Sequence, residues 1–109
     1  MAHFEARTSA EAGRTVVALR GECDLAVSDQ LTSALLAAVR TAPVVVVDLS
    51  ELTFLDSSGV HGLVTAHHAA RDAGGRLYAV APRGMVATVL EITGVGELLS
   101  PPAGSRPDR

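Results

Sequence analysis

The residues of this chain best placed to do chemistry sit in one run, Asp56-Ser57-Ser58-Gly59, with His61 two residues further on. A serine hydroxyl in that run has three uses to weigh: capping a helix, accepting a phosphate, or attacking a substrate. Ser57 stands between an apolar strand-like run and a helical stripe, where a hydroxyl at the N-cap accepts from a free backbone N–H of the first turn. Gly59 keeps that turn bare. The same place suits a phosphate, which would lie in the positive end of the helix macrodipole. Phosphorylation adds about −1.5 to −2 charges, so it would change what the surface binds at little cost to the fold. Nucleophilic attack would enlist Ser57 or Ser58, His61 and an Asp as a hydrolase triad. The Gly-x-Ser-x-Gly elbow is absent, and a base four residues along the same helix does not point at a hydroxyl at its start. No catalytic residue is assigned, and the chain is expected not to be an enzyme.

The remaining reactive side chains form no second constellation. His61 and His68 would rise ~10 Å apart on one helix, too far to share an ion, and His67 points elsewhere. No cysteine or carboxylate completes the set, so no metal is expected. His67 lies partly under the apolar stripe, while His61 and His68 face solvent or a partner. Cys23 has no second cysteine to pair with and lies between Glu22 and Asp24, whose charge raises a thiol pKa. It reads as a packed core thiol. The Gly-x-Gly-x-x-Gly pattern of a nucleotide fold is missing near Gly59 and Gly62.

The elements that must position the serine run follow from periodicity. Phe4–Arg7 and Thr15–Leu19 read as paired strands joined near Ala12-Gly13, the second ending at Gly21. Ser28 is placed as an N-cap ahead of a stripe of Leu31, Ala34, Leu35, Ala38 and Val39. Pro43 closes that helix, and Val44–Val47 followed by Asp48 reads as a central strand buried on both faces. After the serine run comes a helix carrying Val60, Leu63, Val64 and His67, with Arg71 near its end and Gly74-Gly75 stopping it. Leu77–Val80 is a further strand. Pro82-Arg83-Gly84 turns into a third helix with Val86, Val89, Leu90 and Thr93, stopped by Gly94, and Leu98-Leu99 forms a short edge element. Strand–helix–strand alternation makes parallel neighbours, and the opening hairpin adds an antiparallel pair. The fold class is therefore α/β.

Composition limits what such a domain can do. The 109 residues suit one domain, and 48% hydrophobic against 19% charged residues rules out a disordered chain. Aromatics are 3%, so aliphatic side chains build the core. The formal charge of −3 is spread along the chain and all 9 basic residues are Arg, with no basic face to bind nucleic acid. There is no run of 18 apolar residues and no secretion-signal pattern in the first residues, so no membrane contact and a cytoplasmic setting are expected.

Taken together, Gly21-Glu22-Cys23-Asp24-Leu25 ahead of a helix, Val44-Val45-Val46-Val47-Asp48-Leu49-Ser50, and Phe54-Leu55-Asp56-Ser57-Ser58-Gly59-Val60-His61-Gly62-Leu63 resemble STAS domains, and among them bacterial anti-sigma factor antagonists. Gly74-Gly75 and the Val89-Leu90 to Thr93-Gly94 helix ending fit too, so the resemblance spans about residues 4 to 100. Cys23 departs from the usual aliphatic residue of the Gly-Glu-x-Asp motif. The resemblance implies a single STAS domain over residues 1–100, a mixed four- to five-stranded sheet packed with three to four helices, followed by a disordered tail over 101–109. It implies that the unmodified protein binds a serine-kinase anti-sigma factor, which phosphorylates Ser57, with Ser58 the alternative acceptor. Phosphorylation releases the complex, a metal-dependent phosphatase of the PP2C type restores the binding form, and a sigma factor is freed or sequestered by partner switching. ATP and Mg²⁺ belong to the kinase, so the domain itself needs no cofactor. Asp24, Asp56, Ser58, Gly59 and Val60 correspond to the docking surface. For Asp24 a helix-entry Asx turn is the equal alternative. A scaffold or adaptor role, stressosome-like or nucleotide-responsive, is the competing reading; the short chain favours the antagonist, as a monomer or weak homodimer.

Overall fold

Four consecutive β-branched residues open the longest strand of the structure, a computed structural model describing residues 3–102. Of the tail expected over 101–109, residues 103–109 lie outside the described residues. Among the described residues the elements run β1 (Phe4–Glu11), β2 (Arg14–Cys23), α1 (Ser28–Val39), β3 (Val44–Leu55), α2 (Ser57–Asp72), β4 (Arg76–Val80), α3 (Gly84–Thr93) and α4 (Val95–Leu98). The four strands form one sheet in the order β1-β2-β3-β4. The β1–β2 hairpin is antiparallel, and β2–β3 and β3–β4 are parallel, each pair joined through a helix. A mixed sheet of this kind is the α/β layering that the alternation of elements requires.

Val17, Leu19, Val45, Val47, Leu49, Leu77 and Ala79 present one face of the sheet to Leu31, Leu35, Leu63, Ala66, Val86 and Leu90 of the helices, and all belong to one continuous core. Val46 and Tyr78 are also buried but lie outside that cluster, on the opposite face. The two long helices approach closely at Gly62, where a Cβ would run into Thr32 and Leu31 of α1. Small residues at such a crossing let the backbones pack at short range.

Several boundaries differ from those periodicity suggests. Strand β1 continues to Glu11, and β2 passes through Gly21 to Cys23 with register shifts between Ala18 and Arg20 and between Gly21 and Glu22. Gly21 is therefore a bulge inside the strand (φ +95°), not its end. Strand β3 likewise extends beyond Asp48 to Leu55, because Leu49, Leu52 and Leu55 keep feeding the core. Only Val44–Asp48 pair with β4, so the second half of β3 projects past β4 alongside β2. Ser28 is not an N-cap: it is the first residue of α1, Val27 precedes it without a side-chain cap, and the Ser28 hydroxyl donates back to the Leu25 carbonyl at 3.2 Å. Leu98-Leu99 does not form a strand. The chain closes a one-turn helix there, Leu99 inserts into the core, and its carbonyl accepts from the Ala79 amide at 2.8 Å on the β4 edge. The edge hydrogen bond is made without a fifth strand.

Candidate functional site

The site begins where the β2–β3 ladder ends. The Asp56 amide donates to the Cys23 carbonyl at 3.2 Å, and the chain then turns directly into α2. Asp56 keeps an extended backbone (φ −104°, ψ −174°), and its Oδ1 accepts from the amides of Ser58 at 3.0 Å and Gly59 at 3.3 Å. This corrects the expected cap by one residue: Asp56, not Ser57, is the N-cap. Asp and Ser cap about equally well, so the position of the last strand hydrogen bond decides between them.

That shift separates the two serines. Ser58 is half-buried and its hydroxyl donates to Asp56 Oδ1 at 2.6 Å, a short charge-assisted bond. Ser57 is the first residue of α2, exposed, and its hydroxyl makes no hydrogen bond to a described residue. The Ser58 hydroxyl is the largest cause holding the Asp56 carboxyl below its usual range; the amides of Gly59, Ser58 and Leu25 add to it against partial burial. Asp56 is therefore a fixed negative charge beside the free hydroxyl. Gly59 and Val60 are buried and support the junction from beneath. At Gly59 the helix sits so close to the strands that a Cβ would press on Leu55 and come within 3.0 Å of the Cys23 sulfur.

Cys23 is fully buried, and its thiol is pushed up to about 11, first by burial and then by the charges of Asp56 and Asp24. It is a packing residue, as its neighbours in sequence suggested. Asp24 is half-buried on the adjoining loop, with its Oδ1 accepting from the Ala26 amide at 3.0 Å and its carbonyl from Val27 at 3.1 Å. It thus makes the Asx turn that leads into α1. Both carboxylates border the junction, one from each connecting loop.

The histidines do not join the site. His61 is exposed one turn into α2, and neither serine hydroxyl bonds to it. His67 directs Nδ1 toward the Leu77 carbonyl at 3.4 Å, with Nε2 buried and unpaired, and its ring meets that of His68 edge-on at 5.5 Å. Among the described residues no group of three or more His, Cys, Asp or Glu side chains is placed to hold a metal ion.

The family model for the Mlab-type STAS domain matches residues 6–100. The chain belongs to the STAS domain family. No curated protein matches this STAS domain. Among solved structures it resembles an anti-sigma factor antagonist from Mycobacterium paratuberculosis, with 26% identity over 89% of this chain and 83% of that one, TM-score 0.79. An anti-sigma-factor antagonist (STAS) domain protein from Planctomyces limnophilus shares 26% identity over 85% of each chain, TM-score 0.73. The anti-sigma factor antagonist SpoIIAA in its unphosphorylated form shares the fold, with 21% identity over 94% of this chain and 90% of that one, TM-score 0.74.

Periodicity alone misses three apolar residues that the fold leaves exposed. Leu25 (76% exposed), Phe54 (37%) and Met85 (40%) are large apolar side chains left open to solvent. Leu25 follows β2, Phe54 is the last residue but one of β3, and Met85 lies in the first turn of α3 after β4. For Leu25 and Met85 the signal available in the sequence is an apolar residue inside a turn or at a helix start, where no core contact is due; Phe54, inside β3, carries no such signal.

The cap gives a testable consequence. Asp56→Ala is expected to cost about 1–2 kcal/mol, the usual loss of a carboxylate N-cap, while Asp56→Asn keeps an acceptor and loses less. Because the folded-state pKa of Asp56 is lowered, its contribution is complete above the ordinary carboxylate range, about pH 4, and disappears as pH falls through the lowered value. The stability gap between wild type and Asp56→Ala should therefore be widest near neutrality and close on acidification. Urea unfolding at a series of pH values reads this directly; a gap constant down to pH ~2 contradicts it.

Proposed function

We propose that this STAS domain is an anti-sigma factor antagonist that binds a serine-kinase anti-sigma factor when unmodified and lets go when Ser57 is phosphorylated. The observation that carries the reading is the exposed, unengaged Ser57 hydroxyl at the first position of a 16-residue helix, bordered by the carboxylates of Asp56 and Asp24. Ser58, the alternative acceptor, has its proton committed to Asp56. The likeness to anti-sigma factor antagonists at 26% identity points the same way.

The geometry allows the modification to act on binding while sparing the fold. A phosphate on Ser57 stands at the positive end of the α2 macrodipole, where Asp56 already caps the Ser58 and Gly59 amides. Outward, the same group adds negative charge beside two carboxylates on a surface fitted to a neutral hydroxyl, so a docked partner meets repulsion and a desolvation penalty together. The domain needs no catalytic residue of its own: the kinase supplies ATP and Mg²⁺, and a PP2C-type phosphatase in the same cytoplasmic compartment reverses the step. A sigma factor is thereby freed or sequestered, and transcription follows the phosphorylation state.

Affinity capture of the tagged chain from its native cell, with mass spectrometry of partner and modification, tests the reading. The expected result is a small ATP-binding kinase co-purifying with the unmodified form, and phosphate on Ser57. Phosphate confined to Ser58, or a large assembly without a kinase, overturns it.

A further inference from the structure

The two edges of the sheet end differently. On the β4 side the chain covers its own edge, with the Ala79 amide donating to the Leu99 carbonyl at 2.8 Å. On the other side β1 has β2 as its single neighbour, and among the described residues no group hydrogen-bonds to its outer backbone. That edge is long and regular: Phe4–Glu11 holds no Pro, Gly or Lys and pairs with β2 without a register shift. Proteins normally blunt such an edge with Pro, Lys or a bulge, because its free amides and carbonyls can pair with another chain. The ladder shows which groups are free. The Glu22 amide donates to the His3 carbonyl at 2.8 Å, so the bonded pairs fall at His3, Glu5, Arg7 and Ser9. The amides and carbonyls of Phe4, Ala6 and Thr8 therefore turn outward. Phe4 and Ala6 pack toward the core, which places the Glu5 and Arg7 side chains on the opposite face. The charges on this edge are thus of both signs, and their spacing suits a second copy of the same strand.

We infer that β1 is the contact through which two copies of this chain associate, pairing antiparallel about a two-fold axis at Ala6 so that one sheet runs through both. The inference stands apart from the function proposed above. A two-fold axis normal to the sheet keeps the like faces of both copies together, so it must pass through a single residue position of β1. Charge then chooses the position, since opposite charges directly across a strand pair attract and like charges repel. Centred on Arg7, the two arginines would meet each other. Centred on Thr8, Glu5 would meet Glu11. Centred on Ser9, Arg7 would meet Glu11, but only Thr8 and Ala10 could exchange backbone bonds. Centred on Ala6, Glu5 of each copy stands opposite Arg7 of the other, and Phe4, Ala6 and Thr8 all exchange backbone bonds. Within one copy the Arg7 guanidinium already reaches Glu5 at 3.3 Å, with 78% of the Arg7 side chain exposed. Across the axis the four groups alternate in sign, so each carboxylate gains a second guanidinium. Ser57 lies beyond the end of β3, two strands from this edge, and is not part of the contact. A single strand pair buries less than a standard stable interface, so the association is weak and concentration-dependent.

Sedimentation equilibrium of the full chain at low salt, over a concentration series reaching about 1 mM, tests this. The expected result for the wild type is a reversible monomer–dimer equilibrium. Arg7→Glu sets Glu opposite Glu and Glu5→Arg sets Arg opposite Arg, so each should raise the dimer Kd at least about tenfold. Mixed in equal amounts, the two variants restore opposite signs at both positions and should associate at least as tightly as wild type. Thr8→Pro removes an outward amide at an exposed position, so it should abolish the dimer while the melting temperature stays close to that of wild type. Should Thr8→Pro fail to fold, the mixing of the charge variants decides. A wild type that stays monomeric throughout the series overturns the inference. So does a dimer whose Kd the charge variants leave unmoved, or one that survives Thr8→Pro with the fold intact, since either places the contact elsewhere.

Discussion

Ser57→Asp is expected to weaken binding of the captured anti-sigma factor kinase by at least about 100-fold, roughly 2.8 kcal/mol, while leaving the domain folded. A charge left unpaired in a closed protein interface typically costs about 2–5 kcal/mol, and this one would stand beside the Asp56 carboxylate, itself held ionised by Ser58. The fold should not register the change, because Ser57 is exposed and an acidic residue in the first turn of a helix is favourable by about 0.3–1 kcal/mol. The melting temperature should therefore stay level or rise slightly. Ser57→Ala removes a hydroxyl that bonds to no described residue, so it should bind within a few-fold of wild type and resist release by ATP. Isothermal titration of the purified kinase with each variant, with and without ATP, reads both arms. Equal affinity for the two variants would remove the switch.

The second large effect concerns stability. Gly21→Ala is expected to cost about 3 kcal/mol or more, for two reasons that add. The backbone at Gly21 has φ +95°, where a non-glycine residue is strained by about 1–3 kcal/mol. A Cβ there would also strike the His3 carbonyl, a group held in place by the Glu22 amide at 2.8 Å. Backbone cannot swing aside as a flexible side chain can, so β1 and the bulge must part. At about 4–8 °C per kcal/mol for a domain of this size, the melting temperature should drop by at least ~12 °C. Gly13→Ala supplies the contrast, since its position is also left-handed (φ +77°) but nothing lies within 4 Å of an added Cβ. It should lose only the strain. Similar melting temperatures for the two variants would mean that the His3 contact is unimportant. The bulge also shapes the candidate site, because the register shift at Gly21–Glu22 aligns Cys23 with Leu55 ahead of the Asp24 and Asp56 turns.

The alternation of β-branched runs with helical stripes was enough to read a mixed α/β sheet and the order of its elements, because side-chain period is imposed locally by backbone geometry. The Asp-Ser-Ser-Gly run could likewise be placed at a helix start, since capping residues are chosen by unsatisfied amides a few positions away. Three things required the folded chain. The first is which of Asp56, Ser57 and Ser58 caps α2: all three residue types can cap, and only the last β2–β3 hydrogen bond, between segments 33 residues apart, sets the frame that frees Ser57 and ties Ser58 to Asp56. The second is the fate of Leu98-Leu99, where core insertion of Leu99 and one bond to β4 outweighed the strand preference of a short apolar pair. The third is the exposure of Leu25, Phe54 and Met85, large apolar side chains that the packing of the folded chain leaves open to solvent. Residue type and spacing therefore determined the elements and the hydroxyl's neighbourhood. Long-range hydrogen bonding and strand direction decided which hydroxyl is free and what surrounds it.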